Sequence, residues 1–145
     1  HYTKYSLPTQ QDDVLTNFPY LKIIAYHIRW PYCEELFGFA NKHPTLYISL
    51  SGIVGWFAWC PYRGYHLIGE AIQLAGADRL IFGLDWPAVK AKACVDYIKN
   101  LDMPEELVEK WGYKKLTEQD KRMILGETLA KLTGVEIRKR VKGQK

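Results

Sequence analysis

Three short apolar runs recur along the chain and predict β-strands. They occupy residues 21–26, 45–50 and 80–83 and are bounded by Pro, Gly or polar residues, as is typical of buried strands. Between them the apolar positions change to three- and four-residue spacing, as with Leu36, Phe37 and Ala40, which predicts helices. The first predicted helix ends at residue 18. Five more cover residues 31–43, 65–75, 88–100, 105–111 and 118–132.

The order of these elements predicts an α/β fold. Strands that alternate with helices form a parallel sheet through right-handed crossovers. Three strands alone leave two apolar edges, and such edges pair with further strands. The pattern therefore indicates the last three units of a larger α/β protein, followed by helices only.

Composition places the chain among globular proteins. It has 145 residues, of which 48 % are hydrophobic, enough for one domain with a core. No apolar run approaches the length of about 18 residues that a membrane helix needs, so we expect no membrane partner. Cys33, Cys60 and Cys94 are widely spaced and form no CxxC pair. We therefore expect them in the core of a cytoplasmic protein, in a reducing compartment.

The net charge of +4 is concentrated at the end of the chain. The segment 136–145 holds five basic residues and one acidic residue, and the rest of the sequence is neutral. Basic ends of this kind contact nucleic acid in some proteins. They are more often solvated termini, so we expect a basic tail and no nucleic-acid partner.

Residues suited to chemistry follow two of the predicted strands. His27 follows the first strand and Asp85 follows the third, where barrel enzymes place metal ligands and acid–base groups. Each residue has a structural alternative. Asp85 precedes Trp86-Pro87 and would also suit the start of a helix, and His27 would also suit a buried site bonded to the backbone.

Three neighbouring residues are candidates for substrate binding. Arg29 would hold a carboxylate through paired hydrogen bonds, or it would pair with Glu34 or Glu35 on the following helix. Trp30 and Trp86 each follow a strand end. They would form the walls of a pocket for a flat ring, or they would pack in the core.

Several segments of the sequence together resemble the amidohydrolase-related family. The resemblance extends in register from about residue 4 to residue 135. It implies a (β/α)₈ TIM barrel, of which this chain holds strands six to eight and the closing helices in residues 1–135. The segments that carry it are 4–8, 13–14, 18–27, 43–52, 76–87, 116–120, 124–126 and 132–134.

The resemblance also implies roles for two residues. His27 would be the catalytic acid or base of the sixth strand, and Asp85 would bind a divalent metal ion and transfer a proton. The family implies zinc as the first choice of metal and manganese as the second. Its other ligands lie in an HxH or ExH pair and a further His on the first and fifth strands, and this sequence contains no such pair.

Some positions depart from the family pattern. Ile28 and Arg29 stand where the family often has Gly after the His, and Ser49 stands where it often has Asp. Leu84 replaces Ser or Thr, and Thr128-Leu129 replace an Asn-Ala pair. These changes leave His27 and Asp85 intact but alter the surroundings of the substrate.

The expected function follows from the resemblance. It implies a metal-dependent hydrolase that acts on a small cyclic or aromatic carboxylic acid. A non-oxidative decarboxylase and a non-catalytic barrel-half subunit are the alternatives. Since a complete barrel needs about 250 residues, we expect a partner chain or a second copy to complete it, in an oligomer.

Overall fold

Strands and helices alternate as far as residue 81, and helices follow. The computed structural model describes residues 3–57 and 59–137. Short 3₁₀ turns at Thr3–Ser6, Tyr26–Arg29 and Ala77–Arg79 connect elements. The order of elements is α1 Thr9–Asn17, β1 Ile23–Ala25, α2 Cys33–Lys42, β2 Leu46–Ser49, α3 Val54–Phe57, α4 Pro61–Ala75, β3 Leu80–Ile81, α5 Ala91–Lys99, α6 Glu105–Trp111, α7 Glu118–Arg122 and α8 Thr128–Thr133.

The three strands form one parallel sheet in the order β1-β2-β3. Ile24 pairs with Tyr47, and Ile48 pairs with Leu80. Because all strands run in the same direction, their carboxyl ends lie at one edge of the sheet. The predicted α/β class and its parallel sheet are confirmed, with each strand shorter than its apolar run.

The hydrophobic core lies between the sheet and the helices that connect its strands. Leu46, Ile48 and Leu80 of the sheet are fully buried. Helices α2 and α4 pack against each other over this layer, because their apolar positions recur at helical spacing. The fully buried residues of the two helices are Leu36, Phe37, Ala40, Ile68 and Ala71.

The connection after β2 is more helical than the sequence predicts. Helix α4 begins at Pro61 rather than at residue 65, because proline suits the first turn of a helix and lacks the N–H that would be unpaired there. The short helix α3 precedes it. Helix α5, by contrast, begins three residues later than predicted, at Ala91.

The predicted final helix is divided into three parts. Helix α7 begins at the predicted position, and Thr117 and Asp120 form a capping box there. A π-helical turn, Met123–Glu127, separates α7 from α8. At this turn the Ile124 carbonyl accepts a hydrogen bond of 2.8 Å from the Phe82 N–H, which attaches the closing helices to the end of β3.

Polar contacts hold the helices together at the amino end of the sheet. Asp12 of α1 contacts His43 at 2.6 Å and Lys42 at 2.7 Å. Arg79 donates to the carbonyls of Ala75 at 2.6 Å and of His43 at 3.2 Å. The bond to Ala75 satisfies a carbonyl group at the end of α4, where the helix offers no further N–H.

Two further expectations concern the surface. Cys33 and Cys94 are buried as expected, but Cys60 is exposed at the start of α4, so its expected place in the core is wrong. No helix of the described residues is long and apolar enough to cross a membrane. Most of the predicted basic tail, residues 138–145, lies outside the described residues.

Candidate active site at the carboxyl ends of the strands

The candidate site is formed by the segments that follow the three strands. His27 lies in the turn after β1, Ser51 and Gly52 follow β2, and Asp85 follows β3. In barrel enzymes this end of the sheet carries the chemistry. Sequence reasoning identified the residues after the first and third strands but assigned no role to the pair after the second.

Gly52 lies between the two predicted catalytic residues. A Cβ atom at this position would be 2.5 Å from His27 Nδ1 and 3.5 Å from Asp85 Oδ2. His27 Nδ1 and Asp85 Oδ2 are therefore at most 6.0 Å apart. Gly52 has a φ of +71°, which glycine adopts without steric cost.

A backbone carbonyl fixes the orientation of the His27 ring. His27 Nδ1 lies 2.8 Å from the carbonyl oxygen of Ser51. Because a carbonyl oxygen only accepts, Nδ1 carries the hydrogen and donates it. In the neutral ring, Nε2 is then the nitrogen with a free lone pair, and it is available to take a proton.

Two buried serines support this arrangement beneath His27. Ser49 Oγ donates to Ser51 Oγ at 3.1 Å, and Ser51 Oγ lies 3.3 Å from His27 Nδ1. A Cβ atom at Gly83 would be 2.7 Å from Ser51 Cβ. The absence of a side chain at Gly83 therefore lets β3 approach the serines closely.

The backbone of the site occupies the left-handed region of conformational space. The φ angles of His27, Ile28 and Arg29 are 58°, 43° and 54°, and that of Asp85 is 62°. Non-glycine residues adopt this region rarely, at a cost of about 1–3 kcal/mol each, and such residues cluster at functional sites. The strain therefore coincides with the two predicted catalytic positions.

Asp85 offers an unpaired carboxylate. Its side chain is exposed and forms no hydrogen bond or ion pair with another residue in 3–57 or 59–137. Helix α5 begins at Ala91, and its first residues receive no side-chain cap from Asp85. The alternative that Asp85 starts a helix is therefore wrong.

Arg29 contacts a glutamine at the back of the site. With the buried amide of Gln11 oriented so that its oxygen faces Arg29, that oxygen accepts from Arg29 Nε at 3.1 Å. No ion pair joins Arg29 to Glu34 or Glu35 among the described residues. The same oxygen also accepts from Arg29 Nη2, so Nη1 is the nitrogen that Gln11 leaves available.

The two predicted tryptophans differ in their surroundings. Trp30 is half-buried and meets Trp56 edge-to-face, with ring centroids 5.8 Å apart. The guanidinium of Arg63 lies 4.3 Å from the centroid of the Trp30 ring. Trp86 is 75 % exposed, so it does not pack in the core.

The described residues supply only part of a metal centre. Asp85 provides a hard oxygen donor and His27 an imidazole nitrogen, and both types bind divalent metals. No group of three or more His, Cys, Asp or Glu within 3–57 and 59–137 is arranged to hold an ion. Asp85 therefore fits the role of one ligand, and a complete centre requires further donors.

A family profile matches nearly the whole chain. The profile is described as amidohydrolase, and it covers residues 1–134. No match was found among curated proteins.

Solved structures have a similar fold at low sequence identity. One is a dihydroxybenzoic acid decarboxylase from Polaromonas sp. JS666 with bound manganese and the inhibitor 2-nitroresorcinol. It is 18% identical with a TM-score of 0.59, and the match covers 92% of this chain and 40% of that chain. Another is a 2,6-dihydroxybenzoate decarboxylase from Rhizobium, 17% identical with a TM-score of 0.59, matched over 92% of this chain and 41% of that chain.

A third similar structure contains bound zinc. It is an amidohydrolase from Burkholderia multivorans, 19% identical with a TM-score of 0.53. The match covers 88% of this chain and 50% of that chain. The present chain thus spans half or less of the length of these structures.

Proposed function

Since the chain belongs to the amidohydrolase family, we propose that it supplies strands six to eight of a (β/α)₈ barrel and part of a metal-dependent active site. The substrate is a small cyclic or aromatic carboxylic acid. His27 transfers protons, Asp85 binds the metal ion, and Arg29, Trp30 and Trp86 contact the substrate. The observation that carries the proposal is the meeting of His27 and Asp85 at Gly52.

The chemistry of His27 follows from its hydrogen bond. Nδ1–H donates to the Ser51 carbonyl, so Nε2 accepts a proton from the reacting group and later returns it. The same bond stabilises the imidazolium that exists between these two steps, because the carbonyl dipole opposes its charge. Proton transfer by a positioned side chain contributes about 10²–10⁴-fold to a rate.

Asp85 contributes a charge that is not neutralised by a neighbouring residue. A carboxylate without a partner in the described part of the chain favours a cation beside it. The divalent ion, when bound, activates water or polarises a substrate oxygen. Zinc and manganese both suit this role, because similar structures hold one or the other.

Two reactions are compatible with this centre. In hydrolysis, His27 or Asp85 moves the proton of an attacking water. In non-oxidative decarboxylation, the proton is delivered to a ring carbon. The structural similarity to dihydroxybenzoate decarboxylases favours the second reaction as much as family membership favours the first.

We also propose that further strands complete the barrel in the functional protein. The chain corresponds to half or less of each similar structure, and the described residues contain no complete metal site. A partner chain or a second copy would supply the other ligands in an oligomer. A barrel half without catalytic activity is the alternative, and the lack of a complete set of donors supports it.

The test is metal binding by the assembled protein and its Asp85→Asn variant. Asparagine adopts the left-handed φ of 62° found at Asp85 better than alanine does, so the variant removes the charge with little effect on folding. Native mass spectrometry should detect a divalent metal in the unsubstituted assembly, and Asp85→Asn should lose it.

Activity assays then separate the reactions. Incubation with small ring acids should release CO₂ if the protein is a decarboxylase. Incorporation of ¹⁸O from labelled water into the product would indicate hydrolysis. If a metal-loaded assembly shows neither activity, the result contradicts the enzymatic proposal and supports the non-catalytic barrel half.

A further inference from the structure

A small pocket adjoins the candidate site on the side of the β1 and β2 loops. Its volume is about 140 Å³. Trp30 comes three residues after His27, and Ile53 directly follows Gly52, so the pocket and the site share the same two loops. The pocket is lined mainly by Trp30, Ile53, Trp56, Phe57, Arg63 and Leu67.

The size and lining of this pocket suit one flat ring. A cavity of about 150 Å³ with apolar walls accommodates benzene. Trp30 and Trp56 meet at an interplanar angle of 79°, so they form two adjoining walls at nearly a right angle. Aromatic rings attract other aromatic rings, and both tryptophans line the pocket.

Arg63 supplies the charge in this apolar pocket. Its guanidinium lies over the Trp30 ring at 4.3 Å from the centroid, a contact that holds the group in place. Arg63 forms no ion pair or hydrogen bond with any other residue described in 3–57 and 59–137. Glu34 lines the neighbouring cleft together with Arg63, but the two are not paired.

We propose that this pocket binds a single aromatic ring that carries a carboxylate, with Arg63 as the carboxylate-binding residue. The planar guanidinium matches a carboxylate with two parallel hydrogen bonds. The N–H groups of Arg63 make no hydrogen bond to another residue in 3–57 or 59–137, so they are free to bind a carboxylate. Arg29 differs, because its guanidinium already donates to Gln11.

The position of the pocket has a consequence for the substrate. Neither His27 nor Asp85 is among the residues that line it. The carboxylate at Arg63 is therefore not the group that reacts, and its role is to bind the substrate to the protein. This inference rests on the proposed function. The substrate is then a single-ring acid in which the reacting bond is separate from the carboxylate that Arg63 binds.

The experiment measures benzoate binding to the metal-free protein by NMR titration. Benzyl alcohol has the ring without the charge, and acetate has the charge without the ring. Benzoate should bind more tightly than either. Arg63→Gln should weaken benzoate binding by at least about tenfold, the usual effect of losing a charge-assisted hydrogen bond, and Arg63→Lys should weaken it less.

Arg122→Gln is the matched control. Arg122 lies on the surface of α7 and pairs with Glu127 at 3.4 Å, so this variant loses the same charge and should bind benzoate normally. Arg63 is exposed on α4, and circular dichroism would verify that its variants fold.

Equal affinity of Arg63→Gln and the unsubstituted protein would overturn the proposal. So would the absence of benzoate binding, or equal binding of benzyl alcohol. Because the titration uses no metal, its result is separate from that for the proposed function. If benzoate binding depends on Arg63 but no metal-dependent turnover is found, the proposed function is contradicted and the proposed binding pocket stands.

Discussion

At the scale of single residues, the candidate site depends on a position without a side chain. Gly52 occupies the space where a Cβ atom would meet the His27 imidazole. It also has a positive φ. These two requirements, room and conformation, are distinct and can be tested separately.

We predict that Gly52→Ala loses activity by about a hundredfold, the effect of a displacement of about 1 Å at a reacting group. The added methyl group would push the ring of His27 away from the Ser51 carbonyl. A ring can rotate, so the loss of stability should be only the cost of a left-handed alanine, about 1–2 kcal/mol. Steady-state kinetics of the assembled protein and thermal unfolding would measure the two effects.

Gly112→Ala is the control for this prediction. Gly112 has a φ of +69°, close to that of Gly52, and no atom lies within 4 Å of the place that a Cβ atom would take there. It should lose similar stability and keep its activity. Equal activity of the two variants would show that the approach of Gly52 to His27 has no catalytic importance.

The residues of this site were predictable to different degrees. His27 and Asp85 are visible in the sequence because each is a polar, chemically useful residue directly after an apolar run. Ser51-Gly52 stand at the equivalent place after the second run, a signal that could have identified them. Gly83 and the Arg63–Trp30 contact depend on the packing of distant segments, which no local pattern records.

At the scale of elements, an acidic residue joins α1 to the end of α2. The bonds from Lys42 and His43 lower the pKa of Asp12 below its usual value of 3.8. A carboxylate with a lowered pKa stabilises the folded state above its unfolded pKa. This stabilisation disappears as the pH falls through the folded pKa.

We therefore predict that Asp12→Asn lowers the thermal unfolding midpoint at neutral pH. The difference from the unsubstituted protein should shrink as the pH falls below 3.8, because the unfolded state takes up the proton first, and it should vanish below the folded pKa, where Asp12 is protonated in both states. Asp13→Asn is the matched control, since Asp13 forms no ion pair among the residues described. A difference that stays constant down to about pH 2 would contradict the assignment.

Elements differ in how far the sequence defines them. The capping box of Thr117 and Asp120 is a local motif, and it fixes the start of α7 as predicted. Within the π-helical turn after α7, Ile124 bonds to Phe82 of a distant segment. That bond depends on tertiary structure, and the continuous apolar pattern from residue 118 to 132 gives no sign of it.

At the scale of the whole molecule, β1 is an edge strand within the described residues. The sheet ends there, although large apolar side chains close to this strand are exposed. Tyr20 and Tyr26 are 92 % and 60 % exposed. Exposed apolar edges of this kind usually pair with another strand, as the proposed barrel requires.

The backbone of β1 provides a direct test of that pairing. The Ile23 N–H donates to the Thr45 carbonyl on the β2 side. Because N–H groups alternate along a strand, the Ile24 N–H points away from β2 and the Ala25 N–H points towards it. In this chain alone, the Ile24 amide should exchange its hydrogen rapidly and the Ala25 amide slowly.

We predict that the Ile24 amide becomes protected in the complete assembly, since strand five of the proposed barrel would lie beside β1 and accept its hydrogen bond. The Ala25 amide, already bonded to β2, serves as the internal reference in the same experiment. Hydrogen exchange measured by NMR on the chain alone and on the assembly would give both rates. Rapid exchange of Ile24 in the assembly would mean that β1 remains an edge, and the barrel would have to be abandoned as the functional form.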